Sequence, residues 1–370
     1  MINEEDQTYP AYTSKFPELG FYAFPGAASD TRGDLEHVKY AEQIGIGNVM
    51  ISERADFKEI GTLCGATAAV TEKMYIGTSA TNANTRNPVA TASFCSSMNR
   101  VSRGRFALGL GKGNAPLHKA WGLKPVTYED EREYYKVLKT LLCGEVLENY
   151  SGSIGDFPRL GLLGDYVKED VPFLFVGFGP NSLKHAGTLY EGAHLHTFMA
   201  PEAVSRAVGL IREGEREAGK EEGKAKVWTV LATLCNPTEK KYLEYVTARL
   251  ASYLQVQGYG DGLAKINGWD PDELERFRKE PAVTSVGGWI DAVANFEQLA
   301  AIDKVLPQEW RSAAVGTPRD CAQRWLEEFE AGADGIIIHT CTPEEFEPVL
   351  TEYEKIRPNH LLEGRTNRPA

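Results

Sequence analysis

Positive charge is in short supply. Lys and Arg number 40 against 52 Asp and Glu, a formal net charge of -12. Such a chain repels nucleic-acid backbones and anionic membranes, so neither is expected as a partner, although a local anion site stays open. Cysteine is scarce too. Cys64, Cys95, Cys143, Cys235, Cys321 and Cys341 are scattered and form no CxxC pair. They read as buried or half-buried free thiols of a reducing compartment, not as a disulfide framework. No apolar run reaches the length of a membrane span, and the opening MINEEDQTYP is acidic and polar with no apolar stretch behind it. The expected location is the cytoplasm.

What is present is a rhythm. With 42% hydrophobic and 25% charged residues, the chain can bury a large core. After a polar arm over 1–17, short apolar runs at 19–24, 48–52, 74–79, 105–110, 172–176, 193–197, 226–234 and 335–339 read as strands. Stretches of helical spacing follow most of them, at 30–44, 57–71, 88–101, 128–143, 181–190, 201–218, 317–331 and 343–356. Near-continuous apolarity is the mark of parallel strands buried on both faces. Eight units predict an α/β fold, a (β/α)8 TIM barrel with insertions, with an open doubly wound sheet as the alternative. Residues 145–160 read as a hairpin-like insertion. Residues 238–316 are mostly helical and polar, and too long for a plain connection. The expectation is a single domain over 1–370 with a helical insertion at about 238–316.

In such barrels chemistry gathers where strands end. Strand two ends in Glu53-Arg54. A carboxylate there could position a ring N–H and a guanidinium could stabilise negative charge, or the two could serve a rim salt bridge. Strand three runs into Ser79-Ala80-Thr81-Asn82, strand four into Gly111-Lys112-Gly113-Asn114 and strand five into Gly177-Phe178-Gly179-Pro180. The last two are glycine-rich loops that open helices and suit an anionic group, or are simply tight turns. His194-x-His196 has the alternation of a metal site, but no HExxH or second His/Asp pair accompanies it. No metal is expected; one histidine packs inside and the other, His196, lines the substrate pocket. Tyr253, Tyr259, Trp269 and Trp289 line a pocket or, the preferred reading, fill a helical core.

Four segments in order carry a resemblance: IGTSATNANTRNPVATASFCSSMNRVSRGRF (76–106), RFALGLGKGNAPLHKAWG (105–122), VPFLFVGFGPNSLKHAGTLYEGA (171–193) and VGTPRDCAQRWLEEFEAGADGIIIHT (315–340). Jointly they resemble luciferase-like flavin- and F420-dependent oxidoreductases. The resemblance implies a tricyclic cofactor, coenzyme F420 or alternatively FMN, in the barrel mouth. It implies a non-prolyl cis peptide at Ser79-Ala80 and cofactor contacts from Asn82, Asn114 and the glycines Gly111, Gly113, Gly177 and Gly179. Sugar-phosphate dehydrogenases of the family carry Asp-His where this chain has Glu53-Arg54, and an acidic residue where it has Asn114. They also place a lysine after strand six, where Met199 stands, so glucose-6-phosphate is not the expected substrate. The expected function is F420-dependent hydride transfer to or from a small organic substrate, with Glu53 and Arg54 as the catalytic pair. The alternatives are an FMN-dependent monooxygenase served by a partner reductase, and a non-catalytic flavin-binding barrel. A homodimer is expected through the small-residue helix at 90–97.

Overall fold

The computed structural model describes residues 9–26, 28–54, 57–162 and 169–370. Among the described residues eleven strands occur in chain order: β1 (Phe16–Tyr22), β2 (Ile46–Ile51), β3 (Tyr75–Thr78), β4 (Phe106–Leu110), β5 (Leu147–Gly152), β6 (Gly155–Leu160), β7 (Phe173–Val176), β8 (Gly192–His194), β9 (Lys226–Cys235), β10 (Ala314–Gly316) and β11 (Gly335–His339). The chain divides into two compact units. One comprises Met1–Val176, Leu189–Ala193 and Gly364–Ala370; the other comprises Gly177–Thr188 and His194–Glu363.

In the first unit β1, β2, β3, β4 and β7 pair in that order, all parallel. Every residue of β2, β3 and β4 is buried, which is why these runs are apolar without alternation. Helices between them start at clear signals. Asn87 caps Pro88–Val101, with proline in its first turn. Thr127 and Asp130 form a reciprocal capping box on Tyr128–Leu142. The expected hairpin is β5–β6, an antiparallel pair.

The N-terminal stretch is more than the polar arm expected over 1–17. Asn367 is fully buried. Its side chain accepts from Ser14 N at 2.9 Å and donates to the Lys73 carbonyl at 2.8 Å, and its own N–H donates to the Tyr12 carbonyl at 2.8 Å. One buried amide thus ties both ends to the sheet, and no periodicity announces such a contact. Residues 1–8 lie outside the described residues.

In the second unit β9 pairs in parallel with β11, from Trp228↔Gly335 to Ala232↔His339, and with the short β10. The sequence hid β10 inside the helical stretch because Ala-Val-Gly is too short to show a period. Residues from Glu239 to Val305 form helices, including a π-helical turn at Leu243–Thr247. Trp269 stacks on the buried Trp310 at 4.9 Å, as core filling requires. Trp289 is 51% exposed, so the core reading fails there. Helices Pro180–Leu189 and Pro201–Glu217 approach at two glycines. A Cβ on Gly187 would overlap the Ile211 carbonyl, and one on Gly214 the Lys184 carbonyl.

Candidate active site

The first unit joins its strand ends through the segment after β3. The Ser79–Ala80 peptide is cis, at the position the resemblance implies. Ser79 N–H donates to the Ile51 carbonyl at 2.7 Å, and Glu53 N–H to the Ala80 carbonyl at 3.2 Å. Thr81 N–H then donates to the Gly109 carbonyl, and Gly111 N–H to the Thr81 carbonyl, both at 3.0 Å. The Tyr22 and Ser79 hydroxyls lie 2.6 Å apart. Glu53, Ser79, Ala80, Thr81 and Gly111 are therefore held together by backbone. Tyr22, at the end of β1, joins them; sequence reading passed over it because it ends that strand one turn later.

Glu53 and Arg54 are neighbours in sequence but part in space. Glu53 keeps only 5% of its side chain exposed, and Oε1 accepts from Arg86 Nη2 at 2.7 Å. Its other oxygen takes a short hydrogen bond from Thr81. The same Arg86 nitrogen also reaches Glu59. Arg54 is exposed, with its guanidinium 5.1 Å from the centre of the Phe57 ring. The ion pair of this site is thus Glu53–Arg86, which spacing along the chain could not reveal.

Glu59 serves two roles. It caps the helix Ile60–Val70 through Gly61 and Thr62 and anchors Arg86. Partial burial opposes its charge, but hydrogen bonds from Arg86 and from the Thr62 and Gly61 amides outweigh it and hold the carboxyl down at about 2. Arg86 loses solvation on burial, yet its two carboxylate partners raise its pKa, so the guanidinium is charged.

Asn82, Asn84, Gly113 and His118 form a polar cluster. Gly113 has φ +68, and a Cβ there would overlap Asn82 Oδ1 and the His118 ring. Asn84 Nδ2 donates to His118 Nδ1 at 3.0 Å, which leaves the His118 proton on Nε2. Burial lowers the His118 pKa and keeps the ring neutral. Asn82 Oδ1 and Asn84 Oδ1 are buried and have no hydrogen-bond partner among the described residues. Two buried acceptors in one cluster thus lack the donor that buried oxygens usually have.

Asn114 accepts from Leu117 N–H as the cap of a short helix, Ala115–Ala120, which the sequence reading missed for want of length. Lys112 sits over the Tyr128 ring, 4.1 Å from its centre. A Cβ on Gly111 would come within 3.1 Å of the Val176 carbonyl and 3.3 Å of Ala80 Cβ. His118, Asn84 and Arg86 are the site residues that sequence reasoning overlooked; the only signal was their density in 82–86 and 113–118.

The second unit holds the other candidates. Gly177 N–H donates to the His194 carbonyl at 3.1 Å, and Gly179 and Pro180 open the helix Pro180–Leu189. Phe178 packs against His196 at 4.8 Å and Tyr259 at 5.0 Å between ring centres. His194 is fully buried and edge-on to Trp228, and burial pushes its pKa down to about 3. The two histidines differ: His194 is packed inside and His196 is half-buried. Among the described residues no group of three or more His, Cys, Asp or Glu is placed to hold a metal ion. None of their helices is long and apolar enough to cross a membrane. All six cysteines are free, but Cys143 is exposed rather than buried.

The arrangement of parallel strands joined by helices, with a polar cluster at the strand ends, defines a class: an α/β protein built of strand–helix units. The luciferase-like monooxygenase family matches residues 21–335, and the chain belongs to that family. The 5,10-methylenetetrahydromethanopterin reductase of Methanolobus tindarius is 29% identical over 309 residues, covering 81% of this chain and 88% of that protein. Among solved structures, the coenzyme F420 dependent tetrahydromethanopterin reductase from Methanopyrus kandleri matches with TM-score 0.73 at 20% identity, over 94% of this chain and 98% of that one. The oxygenating constituent of 3,6-diketocamphane monooxygenase from Pseudomonas putida, in complex with FMN, matches with TM-score 0.65 at 19% identity, over 95% and 98%. The fold class is the expected (β/α)8 barrel, and the chain is an oxidoreductase. The non-catalytic alternative is set aside.

Proposed function

We propose that this chain is an F420-dependent oxidoreductase acting on a small organic substrate. The carrying observation is the pair of orphaned oxygens, Asn82 Oδ1 and Asn84 Oδ1, beside Gly113, whose missing side chain lets Asn82 and His118 close in on the loop after β4. A tricyclic ring with N–H donors fits that need. Ser79, Ala80, Thr81, Asn82, Gly111, Lys112, Gly113 and Asn114 would hold it. Gly177, Phe178, Gly179 and Pro180 as cofactor contacts, and His196 as a substrate contact, are proposals from the sequence. When bound, the deazaflavin supplies or accepts the hydride.

The chain's own residues do the rest. Glu53 bonds the Ala80 carbonyl through its backbone N–H, and its carboxylate is oriented by Arg86 and Thr81. Held on both oxygens, it acts as an electrostatic anchor. His118 presents a neutral ring N–H in the polar cluster. Arg54, without a carboxylate partner among the described residues, is a cation available to an anionic group. A homodimer is part of the same proposal.

Support for F420 over FMN comes from the Methanopyrus kandleri reductase, described as coenzyme F420 dependent, together with the reductase relative matched over most of the chain. The second reading, an FMN-dependent monooxygenase with a partner reductase, draws on the family's description and on the FMN-bound neighbour. Titration of the purified protein with oxidised F420 and with FMN, followed by fluorescence, decides. Selective F420 binding that weakens in Asn82→Ala is the expected result. Selective FMN binding moves the assignment to the monooxygenase.

A further inference from the structure

In the first unit a cavity of about 220 Å³ opens where the loops after β1 and β2 meet the helices Thr31–Gln43 and Ile60–Val70. Ala28, Phe57 and Leu63 give it apolar walls, and Thr31, Lys58, Glu59 and Thr62 give it polar ones. Solvent reaches it, since Phe57 stays 43% exposed even with the Arg54 guanidinium beside its ring. None of Ser79 to Asn82 or Gly111 to Asn114 is among its lining residues. Sites for drug-sized ligands span roughly 300–1,000 Å³, so this one has room for a single small ring.

The hydrogen bonds of the walls decide what the cavity takes. Thr31 donates its hydroxyl hydrogen to the Ala28 carbonyl at 2.9 Å. Thr62 donates its own to Glu59 Oε2 at 2.8 Å, and that carboxylate, with a pKa of about 2, can only accept. Both hydroxyl oxygens therefore meet a ligand as acceptors. Glu59 is already filled: Oε1 takes Gly61 N–H and Arg86, and Oε2 takes the Thr62 N–H and hydroxyl. Lys58 is buried and donates through Nζ to the Phe24 carbonyl at 2.7 Å. An anion would face the Glu59 charge and two hydroxyls turned to it as acceptors. A cation would face Lys58 and Arg86, with Glu59 already occupied. An uncharged donor on an apolar body meets neither obstacle.

We propose that this cavity binds a small, uncharged aromatic ring bearing one O–H or N–H donor, which packs on Phe57 and Leu63 and donates to Thr31 or Thr62 Oγ1. Ring contact supplies the affinity, and the hydroxyl acceptors select the donor. The inference does not depend on which cofactor the enzyme uses.

Phenol and fluorobenzene are the probes, one ring with and without the donor. Full-length protein carrying 13C-labelled alanine and leucine methyl groups would be titrated with each by NMR. Ala28 and Leu63 are assigned by the loss of their signals in Ala28→Gly and Leu63→Met. Phenol should shift both signals and bind about fivefold or more tightly than fluorobenzene. The double variant Thr31→Val, Thr62→Val keeps the shape and should erase that preference. Phe57→Ala should weaken both probes and keep it. Unmoved Ala28 and Leu63 signals, equal binding of the probes, or a preference that survives the double variant overturns the proposal. None of these readings requires F420, so a failed cofactor titration leaves them intact.

Discussion

Arg86 donates to Glu53 Oε1 at 2.7 Å and, through the same nitrogen, to Glu59. One guanidinium thus bridges the carboxylate that ends β2 and the carboxylate that caps the next helix. Removing it leaves Glu53, almost wholly buried, with an uncompensated charge. Arg86→Met is expected to lower stability by about 2 kcal/mol, less than for a fully buried pair because Glu59 and part of Arg86 meet solvent. Adding Glu53→Gln should recover part of that loss. Urea unfolding of both single variants and the double variant tests this; strict additivity would refute the coupling.

Gly113→Ala should disrupt the contact of Asn82 with His118. Its positive φ strains any side chain, and the new methyl meets Asn82 Oδ1 and the His118 ring. The expected cost is about 1–3 kcal/mol in unfolding experiments, with at least a tenfold loss of F420 affinity. An unchanged dissociation constant would remove the Asn82 cluster from the cofactor site.

Glu131 gives the protein a pH signature. The residue is fully buried, accepts from the Tyr190 hydroxyl at 2.6 Å, and its other oxygen has no partner among the described residues. Burial raises its pKa from 4.5 to about 7, against the Tyr190 hydrogen bond and the Lys112 charge. The folded protein therefore holds this proton more tightly than the unfolded chain. Stability from this group is complete below pH 4.5 and is lost as pH rises towards about 7, by up to about 3 kcal/mol. His194 and the half-buried His196, with pKa values lowered by burial, act in the opposite sense as pH falls. The measurement is therefore the difference between the parent and Glu131→Gln from pH 4.5 to 8. A difference that does not change with pH would refute a raised Glu131.

Thr78 stitches β3 to β4. Its hydroxyl donates to the Gly109 carbonyl at 2.8 Å and accepts from Gly109 N–H at 2.7 Å. A Cβ on Gly109 would overlap the Thr78 carbonyl, so only glycine permits the approach. Thr78→Val keeps the shape and removes both bonds, at an expected cost of about 2 kcal/mol. Hydrogen exchange at the Gly109 amide should quicken by at least tenfold; parent-like protection would show that the stitch contributes little.

The sequence by itself determined the alternation of strand and helix, the hairpin at 145–160 and the loops that hold Ser79 to Asn82 and Gly111 to Asn114. Buried parallel strands need unbroken apolar runs, and helix starts need Asn87, Thr127 or Thr317, so these features are written locally. Only tertiary structure decided which charges pair. Glu53 stands next to Arg54 in the chain, yet the fold gives it Arg86, because hydrogen bonding after β3 brings 79–86 alongside the end of β2. The same holds for His118 with Asn84, for Asn367 with Ser14 and Lys73, and for Tyr259 with His196. Each is a contact between distant segments, set by the packing of whole elements, and no local periodicity encodes it.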